Sequence, residues 1–239
     1  MTTLRSFPFT HPGTRRSHNE DAFVDRPELG LWAVADGAGG HEAGEVASGM
    51  IRDALMAVPR DLAPGPLMDE TRARLLAVHQ DLLDMAEERG PHVMMASTVV
   101  VLMIRDTFYA VLWAGDSRIY RLREGVLEQL TRDHSLVQDL VDRGELTAEQ
   151  AEAHPRANVI TRAIGAGDPD LPLDKRSGGV QAGDRFLLCS DGLSKALPEA
   201  EIANLLGSPD GISPSEILVN AALARQATDN VTALVVIID

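Results

Sequence analysis

The stretch STVVVLMIRDTFYAVLWAGDSRIYRLREGVLEQL, residues 97–130, contains four strand-like segments in succession. They share a high content of Val, Leu, Ile and aromatic residues: 97–104, 108–114, 118–122 and 126–130. Short turns at 105–106 and 124–125 separate the members of each pair, which predicts two β-hairpins. Consecutive hairpins indicate an antiparallel sheet rather than parallel strands connected by helices.

Further elements lie on both sides of this stretch. An apolar segment at 30–35 ends at Asp36 and predicts a buried strand. The other predicted elements are strands at 185–189 and 231–238 and helices at 45–58, 68–89, 199–206 and 214–226. Together they predict an α+β fold, a central sandwich of two antiparallel β-sheets with α-helices on both outer faces (αββα). The polar residues 136–163 predict a small helical flap within a single domain of residues 1–239.

The charge of the chain restricts its partners. A formal net charge of −14 at pH 7, without a basic run, argues against nucleic acid and against an anionic membrane. The longest apolar run, 94–104, is too short to cross a bilayer, and no signal-peptide pattern is present, so we expect a cytoplasmic protein. The single cysteine, Cys189, lies in an apolar run, which favours a buried thiol over a nucleophile.

Acidic residues recur where an apolar strand ends or where glycine permits a turn. The five positions are Asn19-Glu20-Asp21, Asp36-Gly37, Gly115-Asp116, Ser190-Asp191-Gly192 and Asp229-Asn230. Any one of them could be a simple turn, since Asp-Gly is a common turn dipeptide. Carboxylates gathered at one rim of a sheet repel one another unless cations neutralise them. Hard divalent ions such as Mg²⁺ and Mn²⁺ take such oxygen ligands.

Seven segments resemble, in order, the motifs of the bacterial metal-dependent protein phosphatases, the type 2C serine/threonine phosphatase family. They are RSHNEDA (16–22), VADGAGGHEAGEVAS (34–48), WAGDSRIYRL (113–122), LTRDHS (130–135), ITRAIG (160–165), LLCSDGLSKAL (187–197) and DNVTALVV (229–236). One such segment alone would be a weak signal. Their common order from one end of the chain to the other makes chance similarity a poor explanation.

The resemblance implies a set of metal ligands for Mn²⁺ or Mg²⁺ in two tight sites and a third, weak site. Asp36 would bridge the two tightly bound ions. The other implied ligands are Asp191 and Asp229 for the first ion, Glu20 and the carbonyl of Gly37 for the second, and Asp116 with Asp191 for the third. Asp21 and Asn230 would support these ligands from behind. For Asp116, a simple turn cap that pairs with Arg118 remains an alternative.

The resemblance also implies a reaction. Two neighbouring ions would generate a hydroxide that attacks phosphoserine or phosphothreonine directly, and Arg16 would hold the substrate phosphate. His41 would either protonate the leaving serine oxygen or only order water at the ions, and the two alternatives stand equal. Here Ala38 occupies the place where eukaryotic members carry a histidine. We expect phosphoproteins as substrates and a cognate serine/threonine kinase as the opposing enzyme.

Three other functions compete with this interpretation. A non-catalytic relative would usually lose a metal aspartate or the phosphate arginine, whereas Asp36 and Arg16 are both present. A phosphatase dedicated to an anti-sigma-factor antagonist would usually lack the segment at 16–22. A metal-dependent phosphodiesterase would usually carry several histidine ligands. His134 is expected to be structural, at the end of the strand before the flap.

Overall fold

The strands follow from apolar and β-branched segments, and the computed structural model describes them within residues 3–39, 42–90, 92–167, 169–208 and 213–239. The described strands are β1 Leu4–His11, β2 Asp21–Arg26, β3 Leu31–Ala38, β4 Ala96–Ser97, β5 Val99–Arg105, β6 Phe108–Ala114, β7 Arg118–Arg123, β8 Val126–Gln129, β9 Asp174–Gly179, β10 Arg185–Cys189 and β11 Val231–Ile238. The described helices are α1 Ala43–Met56, α2 Pro64–Arg89, α3 Leu136–Asp142, α4 Ala148–Glu152, α5 Asp191–Ser194, α6 Glu199–Leu206 and α7 Pro214–Ala224.

The strands form two antiparallel sheets. One sheet has the order β1-β11-β10-β7-β8, and the other has the order β2-β3-β5-β6-β9, with β4 paired to β3. Both predicted hairpins are present, β5–β6 and β7–β8. Glu124 and Gly125 both have positive φ at the second turn, as a tight two-residue hairpin requires.

Three apolar layers hold these sheets and helices together. The layer between the sheets packs side chains such as Trp32 and Leu102 against Phe186 and Leu234, all fully buried. Outside it, α1 and α2 cover the β2–β9 sheet, while α5, α6 and α7 cover the β1–β8 sheet. The order of layers is therefore helix, sheet, sheet, helix, which confirms the predicted αββα architecture.

The described elements differ from the prediction mainly where the sequence is polar. Strands β1, β2 and β9 were not predicted, and the strand predicted at 97–104 is divided between the end of β4 and β5. Strand β9, DKRSGG, lies at a sheet edge where an apolar face is not needed. Helix α2 begins at Pro64 rather than at residue 68, since proline is well suited to the first turn of a helix. Helix α7 ends at Ala224, before Gln226, whose φ is +60°.

The segment 136–163, predicted as a flap, contains the two short helices α3 and α4. Ser135 accepts a hydrogen bond from the backbone N–H of Gln138, and Thr147 and Gln150 form the complete capping box. Ser135 therefore caps α3 through one hydrogen bond, whereas the box at the start of α4 is complete. Of the helices in the described ranges, none has both the length and the apolar character needed to cross a membrane.

Candidate metal centre

Two of the predicted acidic residues lie directly opposite each other on neighbouring strands. In the antiparallel register of β2 and β3, Asp21 pairs with Asp36. Gly37 follows Asp36 directly in the chain. Like charges in directly opposed positions destabilise a sheet. This pair is therefore unfavourable for folding while both groups are ionised, unless a cation neutralises them.

Asp21 connects the two sheets at this rim. Its Oδ2 accepts hydrogen bonds from the hydroxyls of Ser190, at 2.8 Å, and Thr232, at 2.6 Å, both on the opposite sheet or at its end. Its Oδ1 is buried and has no hydrogen-bond partner. Burial raises the pKa of Asp21 to about 7 and the nearby Asp191 and Asp229 add to that shift, although the two hydroxyls oppose it.

Asp36 is held by its backbone at the end of β3. Its carbonyl accepts from the N–H of Thr98 at 2.9 Å and from the hydroxyl of Ser97 at 3.0 Å, while its N–H donates to Thr98 Oγ1 at 3.2 Å. Thr98 Oγ1 in turn bonds Ser117 Oγ at 2.7 Å, next to Asp116. Burial, followed by the carboxylates of Asp21 and its other acidic neighbours, raises the pKa of Asp36 well above its usual range.

Asp116 follows β6 and is only 4% exposed. Its Oδ1 is buried and has no hydrogen-bond partner. Burial, with the charge of Asp191 next in importance, raises the pKa of Asp116 to about 6. The alternative in which Asp116 pairs with Arg118 is wrong, because the Arg118 guanidinium makes three contacts of 2.8–3.1 Å with Asp133.

The loop before Asp116 is fixed by His134. The N–H of Gly115 donates to His134 Nδ1 at 3.1 Å, and His134 Nε2 lies 3.2 Å from Asp174 Oδ2. The imidazole also stacks on Trp113, and burial lowers its pKa. These contacts agree with the structural role predicted for His134.

Glu20, Gly37 and the start of α1 meet at close range. The N–H of Gly37 donates to the carbonyl of Glu20 at 3.1 Å. A Cβ on Gly37 would lie 2.1 Å from the carbonyl oxygen of Gly44, and one on Gly44 would lie 2.7 Å from Glu20 Oε1. Glycine is therefore needed at both positions for Gly37, Gly44 and the Glu20 side chain to lie this close together. Burial raises the pKa of Glu20, and Arg16 partly opposes the shift.

Asn230 organises the loop that carries Glu20. Its Oδ1 accepts from the N–H of Glu20 at 2.9 Å, and its Nδ2 donates to the carbonyls of Pro12 and His18 at 3.0 and 2.9 Å. This one side chain fixes the segment that contains Arg16 at both ends. Its contacts agree with the supporting position predicted from the sequence.

Two predicted metal ligands are paired with cations of this chain. Arg16 Nε and Nη2 each lie 3.0 Å from an oxygen of Asp229. Lys195 Nζ lies 2.5 Å from Asp191 Oδ2 and 3.7 Å from Asp116 Oδ2. Burial lowers the pKa of Lys195, but Asp191 and Asp116 outweigh it, so the net shift is upward.

The donor set fits hard divalent ions. It consists of carboxylate oxygens and the carbonyl of Gly37. One of these carboxylates, that of Asp116, has a buried oxygen without a partner, as does Asp21 behind them. In the described part of the chain, no three His, Cys, Asp or Glu side chains are close enough to bind one ion by themselves. The three carboxylates implied for the first ion, Asp36, Asp191 and Asp229, therefore do not converge on one point here, and Asp191 and Asp229 are paired with Lys195 and Arg16 instead. His41, predicted either to protonate the leaving oxygen or to order water at the ions, lies outside the described residues.

Of the residues that hold this cluster together, Asn230 was predicted from the sequence, whereas Lys195, Ser190 and Thr232 were not. Lys195 could have been found from its position four residues after Asp191, since such pairs meet on a helix. Ser190 and Thr232 gave no such signal, because their contact with Asp21 depends on how the two sheets are stacked. A cavity of about 290 Å³ opens beside this cluster and is lined by Asp191, Asp229 and Lys195, among others.

The chain matches known proteins over most of its length. The family model for Protein phosphatase 2C matches residues 13–215. The serine/threonine protein phosphatase PstP of Mycobacterium tuberculosis is 36% identical over 223 residues, which cover 93% of this chain and 43% of that protein. The chain thus spans less than half the length of this relative.

Solved structures share the fold. The chain superimposes on PppA, described as a key regulatory component of T6SS in Pseudomonas aeruginosa, with a TM-score of 0.91 and 44% identity, covering 99% of this chain and 98% of PppA. It also superimposes on the catalytic domain of a serine/threonine protein phosphatase PstP in complex with two manganese ions. That match has a TM-score of 0.89 and 33% identity, and covers 100% of this chain and 99% of the other.

Proposed function

The chain belongs to the protein phosphatase 2C family, and on that basis we propose that it removes phosphate from phosphoserine and phosphothreonine in proteins. Residues 1–239 act as one catalytic domain in this proposal, with residues 136–163 as its flap. The substrates are phosphoproteins of the cytoplasm, and the enzyme opposes a serine/threonine kinase. The net charge of −14 supports neither nucleic acid nor an anionic membrane as a partner.

The observation that carries the proposal is the cluster of buried carboxylates at one rim of the sandwich. Asp21, Asp36 and Asp116 all have raised pKa values, and burial is the largest cause in each. Carboxyl groups with raised pKa values cluster at functional sites, and binding of divalent cations is the function that fits a set of oxygen donors. The two manganese ions in the PstP catalytic domain support the same assignment.

Mn²⁺ or Mg²⁺ would be held by Asp36 as the bridging ligand, with the other ligands on both sides of it. Those ligands are Asp191, Asp229, Glu20 and the carbonyl of Gly37, with Asp116 and Asp191 for a third, weaker ion. A pair of such ions, once bound, lowers the pKa of water and neutralises charge on a phosphoryl group. The chain supplies the framework, since Asn230 fixes Glu20, and Thr98 fixes Asp36.

Arg16 is the residue that would hold the substrate phosphate. Its side chain is 52% exposed at the edge of the site, and its bidentate contact with Asp229 aims the guanidinium at the carboxylate cluster. A guanidinium can grip two phosphate oxygens with its remaining N–H groups. The position of Arg16 therefore supports a role in binding the substrate.

Among the described residues next to Asp191, neither Cys189 nor Ser190 is a good nucleophile for a covalent phosphoenzyme. Cys189 is fully buried, and burial raises the pKa of its thiol to about 12. The Ser190 hydroxyl donates to Asp21 and also accepts from the N–H of Thr232 at 2.9 Å. These properties of Cys189 and Ser190 support direct attack of water on the phosphate rather than a covalent phosphoenzyme.

The proposal is tested with a phosphoserine peptide in the presence of Mn²⁺. We expect release of inorganic phosphate, loss of activity after dialysis against EDTA, and recovery when Mn²⁺ is added. A phosphotyrosine peptide and a cyclic phosphodiester are the controls, since hydrolysis of either in preference to phosphoserine would indicate one of the competing functions. Full activity in chelator would exclude the metal-dependent reaction.

A further inference from the structure

Lys195 contacts three polar groups that belong to three parts of the chain. Its Nζ lies 2.5 Å from Asp191 Oδ2 and 3.7 Å from Asp116 Oδ2. It also donates to Asn158 Oδ1, in the flap, at 2.9 Å. One ammonium therefore links the loop after β6, the start of α5 and the flap.

The charge balance at this point depends on Lys195. Asp116 and Asp191 raise each other's energy when ionised, because two carboxylates at close range repel. Other cations near the site are engaged elsewhere, Arg118 with Asp133 and Arg16 with Asp229. An ammonium is a compact point charge on a flexible stem, so it can sit between two carboxylates as a small metal ion does.

We propose that Lys195 is a tethered cation for the Asp116–Asp191 pair, which competes with the third divalent ion for this position and holds the flap through Asn158. The inference rests on the proposed function, since it concerns the same site. Lys195 acts here as a positioning residue, because it acts on the ligands and on the flap rather than on substrate.

Two features make the competition possible. Asp116 Oδ1 is buried without a partner, so Lys195 leaves part of the ligand capacity of this pair unused. The Lys195 side chain is also 43% exposed, so it can move out toward solvent when an ion arrives. The ion then gains two carboxylates but must displace an ammonium that already neutralises them. Its affinity is lower for that reason.

The test measures Mn²⁺ binding by calorimetry rather than activity. Lys195→Met keeps the aliphatic stem and removes the charge. We expect two tight sites in both proteins, and a third site that binds Mn²⁺ at least tenfold more tightly in Lys195→Met than in the natural chain. The matched control is Lys175→Met, because Lys175 is the only other lysine in the sequence and is exposed on β9. It should bind Mn²⁺ as the natural chain does.

Two more variants separate competition from a general loss of structure. Lys195→Arg keeps the charge and should keep the third site weak. Adding Asp116→Ala to Lys195→Met should abolish the gain in affinity. A third site that is unchanged or weaker in Lys195→Met would overturn the proposal, as would an equal gain in Lys195→Arg. These readouts are independent of phosphatase activity, so a failure of the proposed function would be seen separately.

The link to the flap has its own readout. In the metal-free protein, Lys195→Met and Asn158→Ala should both speed hydrogen exchange in residues 153–163, while Lys175→Met should not. Saturating Mn²⁺ should produce the same increase in the natural chain, because the ion displaces the ammonium. Equal exchange rates in the natural chain without metal, in Lys195→Met, in Asn158→Ala and in the natural chain with Mn²⁺ would remove the flap contact from the proposal.

Discussion

Strand β10 has a buried aspartate before its first residue and a group of aspartates after its last. Asp184, before β10, is 1% exposed, and its two oxygens accept from the Arg123 guanidinium at 2.6–2.7 Å and from the N–H of Gln181 at 2.8 Å. At the other end, Asp21 and Asp116 are similarly buried, yet each has an oxygen without a partner. We call these the paired end and the site end.

The difference shows what the fold does with buried charge. At the paired end an arginine and a backbone N–H compensate the carboxylate, so the ion pair is complete within the chain. At the site end no arginine reaches Asp36 in the described contacts, and burial raises the pKa of Asp36 well above its usual range. The carboxylates of the site end therefore need a cation to compensate their charge. That cation is a divalent ion or, for Asp116 and Asp191, Lys195.

Asp36→Asn should give the largest change, because it removes the carboxylate that both tight ions share. We expect activity on the phosphoserine peptide to fall by at least about 10³-fold, since both ions contribute to the chemistry. Calorimetry should show loss of both tight Mn²⁺ sites. Circular dichroism should show the native fold, since amide and carboxylate have the same shape. Two tight sites in the variant would show that Asp36 is not the bridging ligand.

Arg123→Met breaks the paired end and leaves Asp184 buried without its cation. We expect the free energy of unfolding to fall by about 3 kcal/mol, as is typical when one partner of a buried ion pair is removed. Urea denaturation measures this loss. Arg52→Met is the control, because Arg52 and Asp53 form an exposed pair that should contribute less than about 1 kcal/mol. Equal losses in the two variants would contradict the contrast between the two ends.

Much of the fold could be predicted from local pattern. Strands β10 and β11 and helix α6 lie at the predicted residues, because apolar runs of strand length and an amphipathic helix are both local signals. Strand β9 was missed since its sequence, DKRSGG, carries no such pattern, and its pairing with β6 is what makes it a strand.

The site could be predicted only as a set of residues. Motif order indicated Asp36, Asp191 and Asp229, but did not indicate what each carboxylate contacts. The partners of Asp21 come from the opposite sheet, and Arg118 selects Asp133 rather than Asp116. The contacts of Asp21 depend on the stacking of the two sheets, and that of Arg118 depends on the pairing of β7 with β8.

Arg16→Ala tests an arginine that reaches the site end through its contact with Asp229. We expect KM for the phosphoserine peptide to rise about tenfold, since a bidentate contact to phosphate is lost. The affinity for Mn²⁺ should change little. Arg16→Lys should recover only part of the loss, because an ammonium cannot make the paired contact. Arg15→Ala is the matched control, as Arg15 is the exposed neighbour. An unchanged KM in Arg16→Ala would place Arg16 outside the substrate site.

The smallest expected effect is the pH dependence of stability in the metal-free protein. Burial raises the pKa of Asp21 to about 7 from its ordinary value of 3.8. A raised carboxyl pKa stabilises the fold most at low pH, and that contribution is lost as pH rises through about 7. His134 has the opposite dependence, because its pKa is lowered from 6.5, but its contribution is complete above that value.

Between pH 6.5 and 8, Asp21 at the site end therefore determines whether the free energy of unfolding rises or falls with pH. In EDTA we expect the free energy of unfolding to fall by about 1 kcal/mol over this range. The Tm should fall by about 2–4 °C with it. Asp21→Asn should reduce the fall, because the amide does not titrate, and saturating Mn²⁺ should also reduce it by neutralising the cluster. Arg52→Met should show the same fall as the natural chain. A Tm that rises from pH 6.5 to 8 in EDTA would mean that these carboxyls are compensated within the chain, as Asp184 is, and the contrast between the two ends of β10 would no longer hold.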